Sequence, residues 1–185
     1  IAMALFYPFA EKHKTAIGEQ KIIYLADGSS VALNTDSELK VNMKPGERAV
    51  SLIKGEAYFQ VTPDKNRPFT VDVGQRIIRV VGTEFNILHT ENKSILSVTK
   101  GVVAILGRGK SEIVDLQVIA GQQVIINDGQ ALQKRTGLNL ANVTTWKEGQ
   151  LVYENISLKN LVQDLNRYYV GKVILQDKEL ENMHI

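Results

Sequence analysis

From residue 21 to about residue 127 the chain repeats one pattern. Short runs of Val, Ile and Leu alternate with polar residues, turn residues close each run, and no helical periodicity intervenes. Side chains two apart in a strand share a face, so each run can bury one face and wet the other. KIIYLADGSSVALN reads as strand, turn, strand, with Asp27-Gly28 suited to a hairpin turn that needs positive φ. AVSLIKGEAYFQV, FTVDV, RIIRVVGTEFNIL, SILSVTKGVVAIL and LQVIAGQQVIIN continue the series. Many short strands without an intervening helix predict a twisted all-β domain, either a sandwich or a β-helix-like stack. Gly28, Gly55 and Gly82 recur at intervals of 27, but Gly101 and Gly121 follow at 19 and 20. That irregular period argues against a strict solenoid.

Composition removes several classes of function. With 185 residues, 44% of them hydrophobic, the chain can bury a core in one domain plus a small appendage. The net charge is only +2, without a basic run or stripe, so nucleic acid is not an expected partner. The absence of cysteine excludes disulfide scaffolds, thiolate metal sites and thiol nucleophiles. His13, His89 and His184 are isolated in sequence, whereas metal-ligand motifs group such residues at short spacing; no metal and no cofactor is expected.

The ends differ from the middle. IAMALFYPFA is apolar and changes sharply at EKHK, yet ten residues are half of what crosses a bilayer. Residues 1–14 are read as the end of a membrane anchor or a juxtamembrane segment, with an apolar segment docked on the core as the alternative. Residues 15–145 form the all-β domain, closed after residue 128 by a hairpin and a polar loop. Residues 146–185 read as a small βαβ unit. WKEGQLVYEN supplies a strand and GKVILQD another. Between them SLKNLVQDLNRYY gives a helix with Leu158, Leu161, Val162 and Leu165 on one stripe. Ser157 is its expected N-cap and Gly171 its left-handed terminator.

Chemistry-bearing residues are sparse. Glu56 in KGEAYF and Glu84 in GTEF follow glycines and invite comparison with a glycosidase carboxylate pair, which makes a carbohydrate-binding or carbohydrate-cleaving domain the alternative function. Solvent-facing strand carboxylates are the commoner reading. Tyr58, Phe59, Phe69 and Phe85 fit inward strand positions. Trp146, the single Trp, stands between the two regions and is read as a wedge in preference to an exposed partner contact. Gly82-Thr83 interrupts RVVGTEFNIL and admits two readings. One is a bulge or close backbone approach. The other is a bond that Thr83 attacks through its hydroxyl, with His89 or Glu84 as proton acceptor; the structural reading is preferred.

The order of several words carries a resemblance. Asp27-Gly28-Ser29, Gly55-Glu56-Ala57-Tyr58-Phe59, Arg67-Pro68-Phe69, Gly82-Thr83-x-Phe85 and Trp146-x-x-Gly149 together resemble the FecR family of sigma-factor regulators. Ala120 before Gly121-Gln122, where the family usually has Pro, is one departure. The resemblance implies a single-pass inner-membrane protein whose periplasmic region joins an all-β part to a module similar to the secretin and TonB short N-terminal domain, of which 146–185 would be a half. It implies the periplasmic signalling domain of an outer-membrane TonB-dependent receptor as partner and iron-uptake genes as the regulated set. Sigma factor would be bound only by a cytoplasmic domain outside this chain. Trp146, Tyr153, Asn166, Arg167 and Tyr168 are the residues placed on the partner-binding surface. The family likeness also maps a self-cleaving Gly-Thr bond of some regulators onto Gly82 and Thr83, and it implies no other enzymatic activity.

Overall fold

The computed structural model of the protein describes residues 11–109 and 113–185; the apolar start, residues 1–10, lies outside them. Among the described residues, thirteen strands form one curled sheet that folds over into two layers. The first layer takes β1 (Glu11–Lys14), β4 (Glu38–Lys44), the first half of β5 (Glu47–Gln60), β6 (Phe69–Asp72), β7 (Arg76–Val80), β10 (Val102–Gly107) and β11 (Val114–Ile119). The second takes β2 (Lys21–Tyr24), β3 (Ser30–Leu33), the rest of β5, β8 (Glu84–His89), β9 (Lys93–Lys100), β12 (Gln122–Asn127) and β13 (Gln133–Thr136). Pairing is antiparallel throughout except between β5 and β6.

β5 makes this architecture. Its residues 47–54 pair with β4 and residues 55–60 pair with β8, so one strand serves both layers. The change of layer falls at a register shift opposite Glu38 and at Gly55, whose φ is +90°. Alternation then fills the space between the layers from both sides with Val50, Leu52, Phe69, Val71, Ile78 and Ile105 against Val31, Phe59, Phe85, Ile87 and Leu96. Phe59 stacks on Phe85 at 5.0 Å between ring centroids and meets Phe69 edge-on at 6.4 Å. Each fully buried ring contributes about 1.5–3 kcal/mol by leaving water. The sequence expectation of a mainly β, layered domain holds. The three glycines at equal spacing do unrelated work: Gly28 turns a hairpin at φ +82°, Gly55 kinks β5, and Gly82 has negative φ and makes a close approach.

Three local expectations differ from the structure. RIIRVVGTEFNIL is not one strand; Val81, Gly82 and Thr83 lie between β7 and β8 and carry the chain from one layer to the other. WKEGQLVYEN and GKVILQD form no strands. Thr145–Glu148 is a single 3-10 turn closed by Gly149 at φ +75°, and residues 151–153 join no ladder before the chain bends at Glu154 and Asn155, the latter at φ +51°. Ile156 exchanges backbone hydrogen bonds with Ile185, Leu158 donates to the Met183 carbonyl, and Ser157 bridges His184, an isolated bridge and not a strand ladder. A strand needs a neighbour to satisfy its backbone, and the residues flanking the helix find little. The helix α1 (Leu158–Leu165) is present, and Ser157 Oγ accepts the Asn160 N–H as expected. It ends earlier than Gly171, on Asn166 in right-handed geometry, and Gly171 does not adopt positive φ.

β1 starts the sheet at Glu11. Lys12 and Lys14 reach Glu38 at 2.7 and 2.9 Å, and hydrogen bonds from the two ammonium groups hold the Glu38 carboxyl at about 2. Among the described residues no helix is long and apolar enough to cross a membrane.

Candidate functional site

β5 carries Glu56 and Tyr58 on the outer face of the second layer, where solvent is expected, yet both are buried. Their neighbours Asn86 and Ser97 are buried too. The cover is the chain's own C-terminal segment, which crosses this face and leaves beside it a cleft of about 890 Å³. Leu88, Ile95 and Ile125 line the sheet side of the cleft, and Leu138, Trp146 and Tyr153 line the other.

Glu56 is the centre of the joint. Oε1 accepts from Asn86 Nδ2 at 2.8 Å; Oε2 accepts from Asn34 Nδ2 at 2.8 Å and from Arg167 Nη2 at 2.9 Å. Asn34 Nδ2 also donates to Tyr168 Oη at 2.6 Å, and Asn86 Oδ1 accepts the Trp146 indole N–H at 3.3 Å. Arg167 Nη1 holds Asp164 at 2.6 Å, and Asp164 in turn accepts from Tyr153 Oη at 2.6 Å. Two backbone clasps finish the contact: Gln20 Nε2 donates to the Trp146 carbonyl at 2.6 Å, and Thr35 Oγ1 donates to the Arg167 carbonyl at 2.8 Å. Lys147 lies over the Tyr58 ring, 4.1 Å from its centroid. Burial alone would lower the Arg167 pKa, but Glu56 and Asp164 raise it, so the guanidinium stays charged. Burial, then Glu56, pushes the Tyr168 hydroxyl up to about 12; burial, then Asp164, raises Tyr153 further. Both tyrosines are therefore neutral hydrogen-bonding groups at any physiological pH.

The structure thus brings together Trp146, Tyr153, Arg167 and Tyr168, but it turns their polar groups to the chain itself. Asn166 stands apart and clasps the backbone of Val173 at 2.7 and 2.9 Å. Trp146, 4% exposed, is the wedge. Asn34 and Asn86 were not singled out by sequence reasoning. For Asn86 the signal is a polar residue at a strand position between apolar neighbours, as in EFNIL; Asn34, in VALNT, directly follows the last residue of β3 and carries no such signal.

The carboxylate pair does not form. Glu84 sits opposite Gln60, four residue pairs along the ladder from Glu56, which separates the two backbone positions by about 13 Å at strand rise. Glycosidase pairs stand roughly 5–9.5 Å apart. Glu84 is also occupied, by Tyr58 Oη at 3.0 Å and Lys100 at 3.2 Å; burial pushes its pKa up, but these hydrogen bonds bring it below the ordinary value. Among the described residues no group of three His, Asp or Glu could hold a metal ion.

Gly82 and Thr83 lie on the far side of that ladder. A Cβ on Gly82 would stand 2.7 Å from Pro63 Cα, too close for any side chain. Gly101, at φ +85°, is pressed on Thr83, and a register shift between Glu84 and Phe85 marks a bulge against β9. Close approach and bulge together account for the glycine. Thr83 is buried, and its Oγ1 has no hydrogen-bond partner. Neither proposed proton acceptor hydrogen-bonds that hydroxyl. His89 is six residues along, roughly 20 Å at strand rise, where it bonds Ser94 at 2.8 Å and is held below its ordinary pKa by burial. Thr83→Val keeps the shape and removes an unpaired buried hydroxyl, so thermal stability is expected to hold or to rise by about 1 kcal/mol. Intact mass of the purified wild type should show one full-length species. Fragments 1–82 and 83–185 that vanish in the valine variant would reassign this bond as reactive.

The polar cluster on the outer face of the second layer fastens one part of the chain to another. The sequence profile of the FecR protein matches residues 11–104, and the chain belongs to the FecR family. FecR proteins are regulators of signalling, and so are anti-sigma factors. Two crystal structures of a candidate anti-sigma factor from Parabacteroides distasonis, at 1.65 and 2.50 Å resolution, share the fold with TM-scores of 0.82 and 0.77. Each is 26% identical; the alignments cover 95% and 91% of this chain and 82% of each of those. No curated protein matches the chain.

Proposed function

We propose that this chain is the periplasmic, signal-receiving region of a single-pass inner-membrane regulator. Its partner is the signalling domain of a TonB-dependent receptor in the outer membrane. Through a cytoplasmic domain outside this chain, occupancy controls a sigma factor and hence uptake genes, those for iron by the family likeness. FecR membership supports the regulator. The observation that favours the C-terminal module as the contact is its exposed apolar surface. Tyr169, Val170 and Ile174 are 60%, 88% and 72% exposed, beside an extended backbone that is almost unpaired. Apolar side chains gathered in this way beside free backbone groups mark interaction surfaces.

The test is calorimetric titration of the chain with the signalling domain of the receptor encoded nearest its gene. Saturable one-to-one binding is expected, weakened at least tenfold in Tyr169→Ala/Ile174→Ala, with the melting temperature unchanged because neither side chain is buried. Failure of every receptor signalling domain of the organism to bind would refute the reading. Undiminished binding by the double variant would move the contact off the module.

A further inference from the structure

We infer that the joint between the β-domain and the C-terminal module is a releasable latch, with the Glu56–Arg167 ion pair as its bolt, so that the module undocks while the sheet stays folded. This concerns the chain alone and stands apart from the identity of any receptor.

Two observations carry it. First, the joint is fastened by polar groups. Helix α1 buries none of its residues completely, Trp146 is the one buried apolar side chain that residues 137–185 supply, and hydrogen bonds join Trp146, Arg167 and Tyr168 to Gln20, Asn34, Thr35, Glu56 and Asn86. Second, both charges of the bolt lie on a face that becomes solvent once the module lifts. A dry ion pair is costly to break only when a charge is left behind in low dielectric. Here opening hydrates Glu56 and Arg167 together, and Asp164 remains with Arg167 on the same side of the joint. Asn34 and Asn86 likewise gain water for the groups they lose.

The hydrophobic core between the two layers takes no part in this movement. Opening exchanges the polar contacts for hydration at the cost of exposing Trp146, so closed and open forms differ by a local balance that leaves the core intact and that a ligand can bias. A partner holding the module in its lifted orientation would expose the Tyr58–Asn86 face and Trp146 at the same time.

Trp146 is the single Trp and sits in the joint, so its fluorescence reports the latch directly. Arg167→Glu places a carboxylate against Glu56 and should shift the emission toward that of water-exposed indole. It should also open 137–150 to limited proteolysis while far-UV circular dichroism still shows the β-domain. Glu56→Gln, which retains shape and loses only charge, should give a smaller shift. Adding Glu56→Gln to Arg167→Gln should change little beyond the first substitution, because one contact is lost once. In the wild type, amides of 146–168 should exchange with deuterium faster than those of β5 and β8. Buried-type emission in Arg167→Glu would overturn the inference. So would exposure of Trp146 only in the same cooperative transition that melts the sheet, since the joint would then be part of the β-domain.

Discussion

Arg48→Ala is expected to remove about 3–5 kcal/mol of stability, much of what a domain of this size holds. Arg48 is 2% exposed, and all five of its N–H donors are used. Nε donates to the Arg67 carbonyl at 2.6 Å. Nη1 donates to Asp27 at 3.0 Å and to the Thr62 carbonyl at 2.8 Å; Nη2 donates to the carbonyls of Asp64 and Val81 at 3.2 and 3.4 Å. Its guanidinium also lies 5.8 Å from the Phe69 ring centroid. One side chain on β5 thereby ties the β2–β3 turn, the loop 61–68 and the β7–β8 crossover. Deletion leaves Asp27 buried without its cation and four carbonyls short of a donor. Lysine does not substitute, because a point charge with three donors cannot reach five acceptors arranged around a planar fork. Urea denaturation should show a lower midpoint for both variants, with Arg48→Lys nearly as damaged as Arg48→Ala. A change below about 1 kcal/mol in either would mean that water replaces the guanidinium at these carbonyls.

That knot explains what the recognisable words of the sequence are for. Asp27 accepts from the Ser29 N–H and hydroxyl as well as from Arg48, and Ser29 Oγ in turn accepts the Thr62 N–H. Asp64 receives the backbone and side chain of Arg67, and Pro63 is the residue pressed on Gly82. Asp27-Gly28-Ser29, Arg67-Pro68-Phe69 and Gly82-Thr83-x-Phe85 are thus three sides of one structural device around Arg48 and the Phe59, Phe69 and Phe85 rings. The motifs identify the fold because they close it.

Strand periodicity was legible because one face of each strand enters the core, and Phe59, Phe69 and Phe85 fall inward as alternation requires; Tyr58, expected inward with them, points to the outer face because its neighbour Phe59 takes the inward position. Arg48 was not legible. It occupies the inward register of Val50 and Leu52, where a charge is ordinarily an outward residue, and only four remote carbonyls and the Asp27 carboxylate make it tolerable. The break between β7 and β8 was hidden because Val81 prolongs the apolar run after Val80, although nothing pairs with it in a ladder. The role of Glu56 escaped for another reason. Nothing local in KGEAYF distinguishes a wet outer face from one covered by a segment more than 100 residues later. Arg167 and Tyr168 were placed on a partner-binding surface; the contact the structure gives them is internal.

Gly55→Ala is the second substitution with a large expected effect, and it reaches the joint as well as the core. At φ +90° an L side chain is strained by about 1–2 kcal/mol before any contact is considered. The added Cβ would stand 2.2 Å from Ser37 Oγ and 2.5 Å from Ser37 Cα. Rotating the serine hydroxyl relieves the first overlap but not the second, which is with backbone. Ser37 is itself fixed: it is 1% exposed, its N–H donates to Thr15 Oγ1, and its Oγ accepts the Glu56 N–H at 2.9 Å. Relief must therefore come from β5 moving away from Ser37 at the residue before Glu56. The expected loss is about 3 kcal/mol or more in chemical denaturation. A red shift of Trp146 emission should appear below the unfolding midpoint, because Glu56 is drawn out of reach of Arg167. Gly46→Ala supplies the comparison, since Gly46 has nearly the same φ, +84°, and nothing within 4 Å of the added carbon. It should cost only the backbone strain and leave the emission unmoved. Equal losses in the two variants would show that the kink in β5 is set by dihedral preference alone, and that close packing on Ser37 has no part in holding Glu56 against the module.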